Sequence, residues 1–123
     1  SRSHVVIVPT TSDFIEGFNK VVAEGVLASR PVITSSVCPA LELVRDCVEE
    51  VPPDDIPAYA AAIARLRDDP PLYRARRAAC AAAHEQFYEP RKGWAWALKN
   101  VLASIHGEPA APTPSPLAAE KML

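Results

Sequence analysis

The sequence predicts an α/β fold in which helices flank a parallel sheet, and three observations carry that reading. Short β-branched apolar runs alternate with amphipathic stretches in the order β-α-β-α-β-α-α-α. That order implies right-handed crossovers between parallel strands. The first apolar run ends at Pro9 and a polar loop, then a helix begins. This is the corner at which parallel sheets hold ligands.

His4–Val8 reads as a short buried strand closed by Pro9, and Thr10–Phe14 as loop. From Phe18 to Ala28 a helix is expected, with Phe18, Val21, Val22, Ala23 and Leu27 on a wide apolar face and Phe18 packed inside. Pro31–Thr34 is the second strand, and Ser35–Cys38 its polar exit. Pro39 suits the first position of a helix running to about Arg45. Val48–Val51 is the third strand, and Pro52–Pro53 stop it.

Asp54 or Asp55 caps the next helix, with Pro57 in its first turn. Its core stripe is Tyr59, Ile63 and Leu66. After Asp68–Pro71 another helix carries Leu72, Ala75, Ala79 and Ala83 inward. Phe87–Pro90 is a break, and Trp94, Leu98, Val101, Leu102 and Ile105 mark a last amphipathic helix. Residues 1–106 are therefore one partial domain, and the Ala/Pro-rich stretch 107–123, without periodicity, is a disordered tail.

With 123 residues, 49% hydrophobic and 23% charged, the chain suits one small globular domain. A net charge of −2 with scattered basic residues argues against nucleic acid, whose phosphates demand clustered Lys and Arg. Arg65, Arg67, Arg74, Arg76 and Arg77 read as a solvated helix face. Cys38, Cys47 and Cys80 lack CxxC or metal spacing, so reduced thiols in a cytoplasmic protein are expected. His4, His84 and His106 have no mutual metal spacing either. No apolar run reaches the roughly 18 residues of a membrane span, and no signal peptide is visible.

The chemistry concentrates between Thr10 and Glu24. Glu16 stands in the loop before the first helix and Glu24 eight residues on. Helical geometry would set them about 80° apart around the axis and about 12 Å apart along it. That is too far for an acid–base pair, which works at about 5–10 Å. It suits two grips on one long ligand. Carboxylates accept paired sugar hydroxyls, and N–H groups at a helix start around Gly17, Phe18 and Asn19 hold phosphate. Thr10, Thr11 and Ser12 line the mouth, with Thr11 and Glu42 as secondary candidates. Cys38 invites a nucleophile, but a Cys-x5-Arg loop needs arginine at position 44, where Val44 stands.

Glu16-x7-Glu24, then Ala28-Ser29-Arg30-Pro31-Val32-Ile33-Thr34 and Pro39-Ala40-Leu41-Glu42-Leu43-Val44, resemble the donor-binding half of retaining GT-B glycosyltransferases of the family 4 (group 1) type. The likeness covers roughly residues 5–105. It implies a Rossmann-like sheet, part of a GT-B C-terminal domain, whose remaining strands and acceptor-binding N-terminal domain lie outside this chain. It also implies a nucleoside-diphosphate sugar as donor substrate, no cofactor and no metal ion. Any membrane contact would be peripheral and made through the parent protein.

By the same resemblance Glu16 contacts the transferred sugar, as the catalytic-site carboxylate. Glu24 meets the ribose, and Gly17, Phe18 and Asn19 line the phosphate side. Asn19 and Ser29 stand where the family often has glycine. The basic residues that hold the diphosphate in the family lie upstream, so the fragment alone is expected to be inactive. The rival reading is a non-catalytic α/β nucleotide-binding or interaction module.

Overall fold

A computed structural model describes residues 2–109. Residues 110–123, most of the expected tail, lie outside the described residues. The chain divides after Ala83 into two units, each taken by itself.

In the first unit three short strands, β1 (Val6–Val8), β2 (Val32–Ser35) and β3 (Val48–Val51), form one parallel sheet in the order β1-β2-β3. Val6 stands opposite Val32, and Val32 opposite Val48. Helix α1 (Lys20–Leu27) joins β1 to β2. A single turn α2 (Leu41–Val44) and a 3₁₀ turn (Arg45–Cys47) join β2 to β3. The last strand is followed by α3 (Ile56–Asp68) and α4 (Pro70–Tyr88), which runs across the unit boundary. This is the expected α/β Rossmann-like arrangement.

Helices lie on both faces because the strands are apolar on both. On one face α1 buries Val22, Gly25 and Val26. A Cβ on Gly25 would meet Val32 Cγ2 at 3.0 Å and Val6 Cγ2 at 3.2 Å, so this glycine brings the helix close to β1 and β2. On the other face Ile33 and Val51 pack with Ala62 and Leu66 of α3, flanked by Tyr59, Leu72 and Tyr73.

Several expectations shift. Helix α1 starts at Lys20 rather than Phe18, because Asn19 caps it, accepting from Val21 N (2.9 Å) and Val22 N (3.2 Å). Phe18 therefore precedes the helix and is 45% exposed, not packed inside. Pro39 stands before α2, in a turn where its carbonyl accepts from Glu42 N, so the helix there is one turn long. Asp55, not Asp54, caps α3. Ile63 is exposed and its neighbour Ala62 takes the core place. On α4 Ala75 is exposed, and Cys80 is the buried residue.

Ser29 lies at φ 53°, just past the end of α1. Its N–H donates to Val26 O and that of Arg30 to Gly25 O, both at 2.9 Å. These two bonds make a Schellman ending in which serine accepts a backbone better suited to glycine.

The arginines are not all a solvated face. Glu49 is 5% exposed on β3 and accepts from Arg65 Nη2 of α3 and Arg76 Nε of α4, each at 2.8 Å. Burial pushes its carboxyl pKa up, but the hydrogen bonds from Arg65 and Arg76 and their charges outweigh that and hold it below the ordinary range. A depressed folded-state pKa supplies stability that is full above the unfolded value and lost as pH falls through the folded one. Urea unfolding midpoints are thus expected to fall between about pH 5 and pH 3, and to fall less in Glu49→Gln. An identical decline in both proteins would remove Glu49 from the acid response.

Helix α4 touches the entry of every strand. Tyr73 Oη donates to His4 O at 3.0 Å, ahead of β1. Cys80 Sγ donates to Arg30 O at 3.5 Å, ahead of β2. Arg76 Nη1 donates to Asp46 O at 3.0 Å, ahead of β3. The helix straps the amino edge of the sheet, opposite the edge from which the long loops leave.

In the second unit, a 3₁₀ turn (Pro90–Lys92) leads to α5 (Trp94–His106), which ends at Gly107 with φ 68°. Its expected stripe is present as a helix face, yet Trp94 and Ile105 are 80% and 72% exposed. No helix among the described residues is long and apolar enough to cross a membrane.

Candidate functional site

Three loops meet at the carboxyl edge of the sheet: Pro9–Asn19 after β1, Ser36–Ala40 after β2, and Pro52–Asp55 after β3. Buried hydroxyls stitch them. Thr34 Oγ1 donates to Val8 O and Ser35 Oγ to Thr10 O, each at 2.6 Å. These bonds satisfy carbonyls where the ladder gives out. Ser12 donates to Asp54 Oδ2 through both its backbone N–H and its hydroxyl, tying the first loop to the third. Asp54 holds φ 60° to make that clasp.

Glu16 is the centre of the first loop. It is half-buried, and each carboxylate oxygen has a protein donor. Thr10 Oγ1 donates to Oε2 at 2.8 Å, and Asn19 Nδ2 donates to Oε1. Thr10 is 7% exposed and Asn19 caps α1, so both donors are anchored to regular structure. The carboxylate is thereby fixed at the end of β1 with lone pairs to spare, since an ionised carboxylate has about four acceptor sites. A group held in this way can receive hydroxyls without first being ordered.

The remaining candidates are placed as follows. Gly17 is exposed, and a Cβ there would meet nothing within 4 Å. Asn19 spends its amide on the cap and on Glu16. Glu24 is exposed on α1, next to the inward Gly25. Only Glu24 of the pair is helical, so the 80° relation drawn from an ideal helix does not describe them. Thr11 turns to Asp13, with its hydroxyl 2.6 Å from Oδ1. Glu42 is exposed in the single turn of α2, apart from the first loop in sequence.

Thr10 was legible only as a residue of the mouth. Its bond to Glu16 spans six residues of irregular loop, for which no periodicity gives a signal. Cys38 is 2% exposed, in a turn where its N–H bonds Ser35 O at 3.1 Å, a setting for a packed small residue. Among the described residues no three His, Cys, Asp or Glu side chains gather as a metal site. A cavity of about 470 Å³ lies elsewhere, by His4, Val5, Ile63, Leu66 and Tyr73, and contains none of the candidate residues.

No curated protein and no solved structure matches the chain significantly. A family model described as glycosyl transferases group 1 matches residues 1–69, the whole sheet with both crossovers, all three carboxyl-edge loops and α3. That match covers more than half of the chain, including Glu16, its two donors and Glu24. The chain belongs to the glycosyl transferases group 1 family.

Proposed function

We propose that this chain is the donor-binding portion of a retaining glycosyltransferase that uses a nucleoside-diphosphate sugar. The observation that carries the reading is the Glu16 carboxylate, held by Thr10 and Asn19 at the carboxyl edge of a parallel sheet. Glu16 receives hydroxyls of the transferred sugar. Glu24, exposed on α1, receives the ribose hydroxyls. The diphosphate lies between, near Gly17, where no side chain obstructs approach. Asn19 already serves the N–H groups of Val21 and Val22, so the phosphate uses donors ahead of them.

The chemistry asked of these residues is positioning and charge placement rather than proton transfer. Glu16 orients the sugar so that its anomeric carbon faces the acceptor, and the leaving diphosphate is stabilised by cations supplied from outside this chain. The acceptor is bound by another domain. The chain alone binds donor without turning it over, needs no metal ion, and works in the cytoplasm.

The test is an amide-resolved NMR titration of the chain with uridine and guanosine diphosphates and their sugars. Shifts are expected between Thr10 and Glu24. Glu24→Ala is expected to weaken nucleotide binding about 10–100-fold, the worth of one or two hydrogen bonds to a charged group. Its dispersed spectrum should remain otherwise unchanged. Unchanged affinity in a folded Glu24→Ala protein would remove the ribose role. A folded chain that ignores every nucleotide would favour the non-catalytic interaction module.

A further inference from the structure

Two thiols lie away from the crevice, at the amino edge where α4 straps the sheet. Cys47 closes the 3₁₀ turn before β3, and Cys80 lies on α4. They are 1% and 0% exposed, and they lie close enough for each to shift the ionisation of the other. Their approach is fixed by neighbours on both chain segments. Arg76, one turn before Cys80, bonds Asp46 O at 3.0 Å and Glu49 Oε1 at 2.8 Å, gripping residues on either side of Cys47. Cys80 Sγ also reaches Arg30 O at 3.5 Å.

We infer that Cys47 and Cys80 form a reversible oxidation site, closing to a disulfide that fastens α4 to the entry of β3. The oxidant class is a small peroxide. Cys47 thiolate attacks one peroxide oxygen, the O–O bond breaks, hydroxide leaves, and Cys47 becomes a sulfenic acid. Cys80 sulfur then attacks Cys47 sulfur, the S–O bond breaks, and water leaves with the Cys80 proton. Two thiols lose two electrons, and the peroxide ends as two waters.

The surroundings assign the two roles. The hydrogen bond from Cys80 lowers the Cys47 pKa, against burial and the Asp46 charge and with help from Arg76. The bond to Cys47, then burial, pushes the Cys80 thiol up. Cys80 has one S–H and two acceptors, the Arg30 carbonyl and the Cys47 sulfur. Cys80, whose S–H is held at the Arg30 carbonyl, is the resolving thiol. Burial makes access depend on local opening of α4, so oxidation is slow but directed. Cys38 is equally hidden but lies in a separate strand-to-helix turn, and it serves as the internal control.

The whole chain is treated with hydrogen peroxide, its free thiols are alkylated, and its peptides are mapped by mass spectrometry. The expected product is lighter by two hydrogens, with one Cys47–Cys80 crosslink, alkylated Cys38, and full reversal by dithiothreitol. Its thermal midpoint is expected to rise, because the crosslink restricts the unfolded chain. A crosslink through Cys38 would overturn the inference. So would oxidation of Cys47 to sulfinic acid without a crosslink, or an unchanged mass under conditions that oxidise the urea-unfolded chain. Mapping the wild-type chain decides the matter without depending on the folding of a cysteine variant.

Discussion

Ile33→Ala is expected to destabilise the first unit by about 2–5 kcal/mol, the cost of deleting a wholly buried branched side chain and leaving a cavity. Ile33 is 0% exposed on β2, the middle strand, which is hydrogen-bonded on both edges. It meets Val51, Ala62 and Leu66, so its loss empties the centre of the α3 face rather than a rim. Domains of this size hold roughly 5–15 kcal/mol in total, and such a loss leaves much of the population unfolded under mild denaturant. A urea midpoint that moves by less than a tenth of its wild-type value would show that the α3 face is not the principal core.

Gly25→Leu is expected to be the second most damaging change, at about 1–3 kcal/mol from overpacking. The first added carbon already falls 3.0 Å from Val32 Cγ2 and 3.3 Å from Val6 Cβ. Three further carbons require α1 to lift from β1 and β2, which uncovers Val22 and Val26. Gly25→Ala separates crowding from bulk. Its better helix propensity, worth up to about 1 kcal/mol, opposes the close contacts of one added carbon with Val32 and Val6, so it should be nearly neutral. Because Glu24 is the adjacent residue and Asn19 begins the same helix, amide shifts from Thr10 to Glu24 should move in Gly25→Leu and stay in place in Gly25→Ala. Equal stability of both variants would mean that α1 is not seated on Val6 and Val32.

What the sequence discloses, and what it hides, follows one physical division. Strands and caps are local: β-branched runs, Pro52–Pro53 and the Asp54–Asp55 pair, of which Asp55 is the cap, declare themselves within a few residues, and the parallel α/β plan follows from their order. The phase of an alanine-rich helix is not local. On α4 the spacing of Ala75, Ala79 and Ala83 is as regular as that of Arg76 and Cys80, yet the second set meets the sheet. What selects it is Glu49, an inward carboxylate on β3 that must be neutralised from across the fold. The site divides in the same way. Glu16 and Glu24 stand out as candidates by their spacing together with the flanking motifs, whereas Thr10 as the partner of Glu16 depends on how an irregular loop doubles back.

The strap of α4 across the amino edge has a bearing on how such a chain can change over evolutionary time. His4, Arg30 and Asp46, the residues it grips, all precede their strands, while every candidate ligand residue follows β1. The strap that holds the sheet together and the candidate site thus lie at opposite edges. Substitutions in the carboxyl-edge loops leave the strap intact. Selection can therefore explore specificity at one edge while the other preserves a foldable scaffold.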